Sequence, residues 1–161
     1  MASNQSTGMP PASKRSSSPA LGGPIPTPIE DNKSLVRRFI HAIESGDFAV
    51  FDEIVSPDYN DHLAGQSPGR ENLKQYFAGA RSAFPDLELP IIYMVAEGDK
   101  VAALTVFRGT HKGSYGGFEA TGKRIDGTAF QLYRIENGRL AEHWEILDYW
   151  TIIRPLQGAL N

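Results

Sequence analysis

The chain has no cysteine, which excludes disulfides, thiolate metal sites and cysteine nucleophiles. It has no apolar run near the roughly 20 residues that span a bilayer as a helix. Excess charge is also missing: 16 Lys and Arg stand against 19 Asp and Glu, a formal net charge of −3, so neither nucleic acid nor an anionic membrane is favoured as a partner. The four histidines lack the close helical pairing of a zinc hydrolase, and no metal is expected. No serine sits in a nucleophile-elbow pattern. Gly116-Gly117 and Gly122 join strands, whereas a dinucleotide site needs its glycines between a strand and a helix. The expectation that survives is a soluble, cytoplasmic protein that handles a small molecule without a cofactor.

The 161 residues, 40% of them hydrophobic, suffice for one well-packed domain. Residues 1–30 hold six prolines and six serines, with Lys14, Arg15 and Glu30 the only charges. A segment of this composition cannot bury enough surface to offset its ordering entropy, so a flexible tail is expected there and a domain over 31–161. Ala20-Leu-Gly-Gly-Pro is too short and broken for a signal-peptide core.

From Asp31 the pattern predicts three helices. Asp31 or Asn32 caps the first, whose stripe is Leu35, Phe39, Ile40 and Ile43, and Gly46 ends it. A short second helix spans Phe48 to Val55, closed by Ser56-Pro57. The third runs from about Pro68 to Phe84, with Ser67 as cap and Leu73, Tyr76, Phe77 and Ala80 inward. Strands follow at roughly Leu87–Glu97, Lys100–His111, Ile125–Ile135 and Arg139–Ile153, an α+β order. Between Val101 and Phe107, as between Pro90 and Met94, both strand faces are apolar, whereas a half-solvated antiparallel sheet alternates. Helices can cover one face. A second subunit is expected on the other, giving a homodimer through the sheet; the alternative is cover by terminal segments.

Asn137-Gly138 is a type I′ hairpin signal that sets the phase of the last strand. Counting by twos from it puts Leu140, Glu142, Trp144, Ile146 and Asp148 on one face. If that face looks into a cavity, Asp148 is a candidate general acid/base whose pKa is raised by burial against Trp144 and Ile146. Phe107, Phe130, Leu132 and Trp144 are the candidate pocket walls. By the same parity His143 points away, and Glu142 either shares the pocket or pairs with a neighbouring strand.

The helix-then-sheet order, with Asp58-Tyr-Asn-Asp-His62, His111-Lys-Gly-Ser-Tyr-Gly-Gly-Phe-Glu-Ala-Thr-Gly122 and Glu136-Asn-Gly-Arg-Leu-Ala-Glu-His-Trp144 followed by Asp148, resembles the SnoaL-like polyketide cyclase family over about Asn32 to Ile153. The resemblance implies an NTF2-like α+β cone with three N-terminal helices on a curved antiparallel or mixed sheet over an apolar pocket. It also implies cofactor-independent aldol cyclisation of a polyketide ester, with the family's acid/base aspartate at Asp148. Related chemistry on the same pocket (isomerase, dehydratase, epoxide hydrolase or hydroxylation partner) and non-catalytic binding of an apolar ligand remain alternatives. Asp148 alternatively caps the sheet end or pairs with Arg38 or Arg108. His111 shares a face with Phe107, and either stabilises a developing enolate or is structural. His62 lines the pocket mouth or caps a turn.

Overall fold

The computed structural model describes residues 28–63 and 65–157. The expected tail therefore lies outside the described residues up to position 27, while Pro28 already opens a helix. That helix, α1 (Pro28–Ser45), starts three residues before the expected cap and buries Val36, Phe39, Ile40, Ala42 and Ile43. Leu35 packs only partly against the core. A 3₁₀ turn (Phe48–Val50) leads into α2 (Phe51–Ile54).

The chain then departs from the expected order. At Val55, where a helix was expected to close, β1 (Val55–Asp61) begins. It runs parallel to the last strand, pairing Asn60 with Glu142 and Asp61 with His143. Pro57 sits within this strand, and β1 lies at the sheet edge, where a missing N–H is tolerated. Helix α3 (Arg70–Ala83) starts at Gly69, whose φ of 103° suits glycine, rather than at Ser67. Strands β2 (Ile91–Glu97), β3 (Lys100–Thr110), β4 (Arg124–Glu136) and β5 (Arg139–Leu147) follow. The sheet order is β1-β5-β4-β3-β2, antiparallel except for β1, so the fold is α+β with a mixed sheet. After Leu147 the chain makes a π-type turn (Tyr149–Ile153) and the short helix α4 (Arg154–Leu156).

The helices cover one face of the sheet. Phe39 stacks on Phe51 and meets Phe77 and Tyr133 edge-on, tying α1, α2, α3 and β4 into one aromatic core. On that face Val101, Ala103, Ala129 and Tyr133 are buried. The opposite face carries Tyr93, Val95, Phe130 and Ile146, which are 71, 67, 47 and 71% exposed. Among the described residues no helix is long and apolar enough to cross a membrane.

Candidate active site

A single extra residue decides which side chains of β5 reach the interior. Asn137 and Gly138 have φ values of 51° and 71°, the left-handed conformations a type I′ turn requires. From that turn Glu136 pairs with Arg139 and Ile135 with Leu140, but Arg134 pairs with Glu142. Ala141 is thus a β-bulge, and both Leu140 and Ala141 are buried. Beyond a bulge the alternation of faces is inverted. His143, Glu145 and Leu147 therefore face the helices, and Trp144, Ile146 and Asp148 do not share their side.

The inward residues line a cavity of about 40 Å³ between α1, α3 and the sheet, together with Asp61, Gln131, Tyr133, Phe107 and the aliphatic side chains of α1. Cross-strand register assembles its polar part, since Asp61 lies opposite His143, Tyr133 opposite His143, and Gln131 opposite Glu145. Asp61 Oδ2 accepts from His143 Nδ1 at 3.0 Å, with each side chain 8% exposed. Its Oδ1 accepts from the Leu63 N–H at 2.9 Å, which fixes the carboxylate. An ionised carboxylate only accepts, so a proton sits on Nδ1, and in the neutral ring Nε2 then presents a lone pair. That Nε2 is buried and has no hydrogen-bond partner among the described residues. The imidazole stacks on Tyr133 at 4.8 Å.

Glu145 is the second polar group. Tyr133 Oη donates to Gln131 Oε1, and Gln131 Nε2 donates to Glu145 Oε1 at 3.1 Å. Burial raises the Glu145 pKa above the usual carboxylate value; His143 opposes the shift and the Asp61 charge adds to it. A proton on Glu145 is thereby favoured near the Asp61 carboxylate. The cavity thus holds a basic nitrogen and a carboxyl group that retains its proton more strongly than a free one. That combination suits concerted removal and delivery of protons.

The structure places the sequence-derived candidates differently from expectation. Of the proposed walls only Phe107 lines the cavity. Phe130 pairs with Ile146 and Leu132 with Trp144 on the opposite face, because on β4 the alternate residues Ala129, Gln131 and Tyr133 are the ones buried toward the helices. The pKa of Asp148 is lowered rather than raised, by the Thr151 hydroxyl first and then by the Trp150 N–H. The latter donates to Asp148 Oδ1 at 2.9 Å, so this carboxylate caps the turn after β5. It pairs with neither suggested arginine: Arg38 meets Glu53 and Arg108 meets Asp126. His62 lies on the outer face, stacked on Trp144 at 4.3 Å and bonded to Glu142 at 2.8 Å. Glu142 also accepts from Arg134 on β4 at 2.5 Å. His111 is fully buried and stacks on Phe84 at 5.1 Å, one ring behind Phe107; burial lowers its pKa. It does not line the cavity. His143, expected to point away, is at the centre of the site.

Sequence reasoning missed Asp61, Gln131, Tyr133 and Glu145. For the last three the signal was present in Gln131-x-Tyr133 and His143-x-Glu145, polar residues recurring by twos within β4 and β5. Only the register brings these pairs into the same rows. Among the described residues no group of three His, Asp or Glu side chains is arranged to hold a metal.

The family model of the SnoaL-like polyketide cyclases matches residues 33–156. The chain belongs to this family. Aklanonic acid methyl ester cyclase DnrD of Streptomyces peucetius is 29% identical over 127 residues, covering 76% of this chain and 88% of that relative. TsrD of Streptomyces laurentii superposes with a TM-score of 0.74 at 28% identity, over 81% of this chain and 96% of its own. IdmH of Streptomyces antibioticus gives 0.66 at 29% identity, over 78% and 97%. The expected fold thus agrees with that of solved SnoaL-like structures.

Proposed function

We propose that this SnoaL-like protein catalyses an intramolecular aldol-type cyclisation of a polyketide ester, using its own side chains for proton transfer. The observation that carries the reading is the buried Asp61–His143 pair with a free Nε2, beside a carboxyl group of raised pKa in an otherwise apolar cavity. His143 Nε2 takes a proton from a carbon flanked by two carbonyls, and Asp61 stabilises the resulting imidazolium. The carbanion attacks a carbonyl carbon of the same molecule, forming the ring C–C bond. Glu145 gives its proton to the oxygen left with the negative charge. The proton on His143 then returns to Glu145, directly or through water, and the site is restored. General acid/base groups of this kind contribute about 10²–10⁴-fold each.

The test is turnover of aklanonic acid methyl ester, the compound for which the Streptomyces peucetius relative is named. His143→Ala and Glu145→Gln are each expected to lower kcat by about 10²–10⁴-fold. Asp148→Asn is the comparison, since strand parity and the resemblance both assign the role there. A loss of that size in Asp148→Asn, with Glu145→Gln near wild type, would overturn this reading. A wild type that binds the ester without consuming it favours the apolar-ligand binder instead.

The same reading includes a homodimer. Register sets Tyr93, Leu104, Phe130 and Ile146 in one row and Val95, Ala102, Leu132 and Trp144 in the next. An apolar surface that crosses four strands marks an association site, and a two-fold axis lets one such face cover another.

A further inference from the structure

The cavity holding the acid/base groups is too small for a polyketide. Its roughly 40 Å³ suits about three waters. A second cavity of about 480 Å³ adjoins it, between α3, the loop after β3 and the C-terminal turn. Leu63, Tyr76, Ala80, Tyr115 and Leu147 line both spaces. Across this shared wall the Tyr76 and Tyr115 hydroxyls lie 2.7 Å apart, hydrogen-bonded to each other. Burial raises the pKa of both phenols, so each keeps its proton and can donate to an oxygen.

The two tyrosines come from elements held together at their base. The Lys112 and Gly113 N–H groups donate to the Ala83 carbonyl at the end of α3, at 2.8 and 3.1 Å. A Cβ on Gly113 would come within 3.0 Å of the Ala83 Cα, so glycine allows this contact. Beyond the anchor the loop tip is a small hairpin, with Tyr115 paired to Phe118 across Gly116 and Gly117, both at positive φ. The anchor is fixed and the tip that carries Tyr115 is a two-residue turn. The large cavity is lined by Phe118, Ile153 and Leu156, with Gln66 and Gln75. Its volume and mostly apolar lining suit a bulky apolar body, whereas the small cavity with its polar groups suits a carbonyl-bearing end.

We infer that Tyr76 and Tyr115 form the doorway between these spaces and position the substrate in it. The ring system occupies the outer cavity, the enolisable arm passes between the tyrosines, and their mutual hydrogen bond is exchanged for bonds to carbonyl oxygens of the arm. This rests on the acid/base reading of the inner cavity. The empty site makes one bond between the hydroxyls and the occupied site makes two to the ligand. Removing both hydroxyls therefore costs about one net hydrogen bond, roughly a 2- to 10-fold loss of affinity.

The experiment compares the Tyr76→Phe/Tyr115→Phe double variant with wild type, using two probes: 1,8-dihydroxyanthraquinone, a ring system without an arm, and aklanonic acid methyl ester. The ester is expected to lose roughly 2- to 10-fold in Kd and KM with little change in kcat, while the bare anthraquinone binds both proteins equally. If circular dichroism shows the double variant unfolded, wild type carries the comparison with a third probe, the same anthraquinone bearing a saturated hydrocarbon arm, which the ester is expected to outbind roughly 2- to 10-fold. Equal changes for both probes, no change for the ester, or no binding of either probe to wild type would each overturn the doorway. Turnover that is absent in wild type while the difference between probes persists would sink the cyclisation reading and leave the doorway standing.

Discussion

At Glu145, burial raises the pKa in the folded chain, and that shift links the fold to pH. The folded state holds this proton above the pH at which an unfolded glutamate, with a pKa of about 4.3, releases it. Stability is therefore greatest below the unfolded pKa and falls as the pH rises through the folded one. Glu145→Gln removes the charge and keeps the shape, so thermal melts should show the variant gaining on wild type from pH 4 to pH 8. A gap that narrows as pH rises would contradict the shift. Asp148 and Glu142 have the opposite sign. Their pKa values are lowered, Asp148 by the Thr151 hydroxyl and Glu142 by His62 and then Arg134, so what they contribute is lost as the pH falls. Two carboxylates three residues apart on one strand thus oppose each other, because one faces a closed cavity and the other the outer surface.

At the scale of elements, the bulge at Ala141 and the C-terminal turn shape the site. The turn presses onto β4 at Gly127, where a Cβ would collide with Thr151 Oγ1 and approach Ile152 Cγ1 to 2.6 Å. A glycine inside a strand commonly marks such a close approach. Gly127→Ala is expected to cost about 1–3 kcal/mol in urea unfolding, as overpacking does, and to loosen the wall that Ile153 and Leu156 give the outer cavity. A variant as stable as wild type would mean that the turn moves aside freely. In the core, Phe39→Ala is expected to cost about 3–5 kcal/mol, because Phe39 is 1% exposed and joins α1 to Phe51, Phe77 and Tyr133. Much of this level was legible. The stripe through Phe39, Ile40 and Ile43, the strand starts at Lys100 and Arg139 and the Asn137-Gly138 turn all follow from local rules. β1 was not, since Ser56-Pro57 reads as a helix stop, and a parallel edge partner more than 80 residues away leaves no local trace.

For the whole molecule, the uncovered sheet face is the surface on which the proposed homodimer would form. Light scattering on eluting protein is expected to give twice the chain mass, and Ile146→Arg to give the chain mass with unchanged circular dichroism. The arginine would place a charge at the β5 end of one apolar row, where desolvating it without a partner is unfavourable. A monomeric wild type at tens of micromolar would remove the dimer. The two-sided apolar character of β3 signalled such a face; which side the helices would leave open was beyond local pattern, because both sides satisfy it.

Composition and periodicity determined the class of fold, the exclusion of thiol chemistry and the hairpin at Asn137-Gly138, and short motifs carried the family resemblance that the match over residues 33–156 bears out. These depend on residue type and short spacings, which a linear chain displays directly. The tertiary structure alone decided which residues meet in the cavity. One bulged residue inverted β5, carried Trp144 and Asp148 away from the cavity, and brought His143 and Glu145 opposite Tyr133 and Gln131. A strand's period of two fixes which side chains travel together but not toward which side. The side is set by register against neighbouring strands and by where the helices pack, and both are properties of contacts distant in sequence.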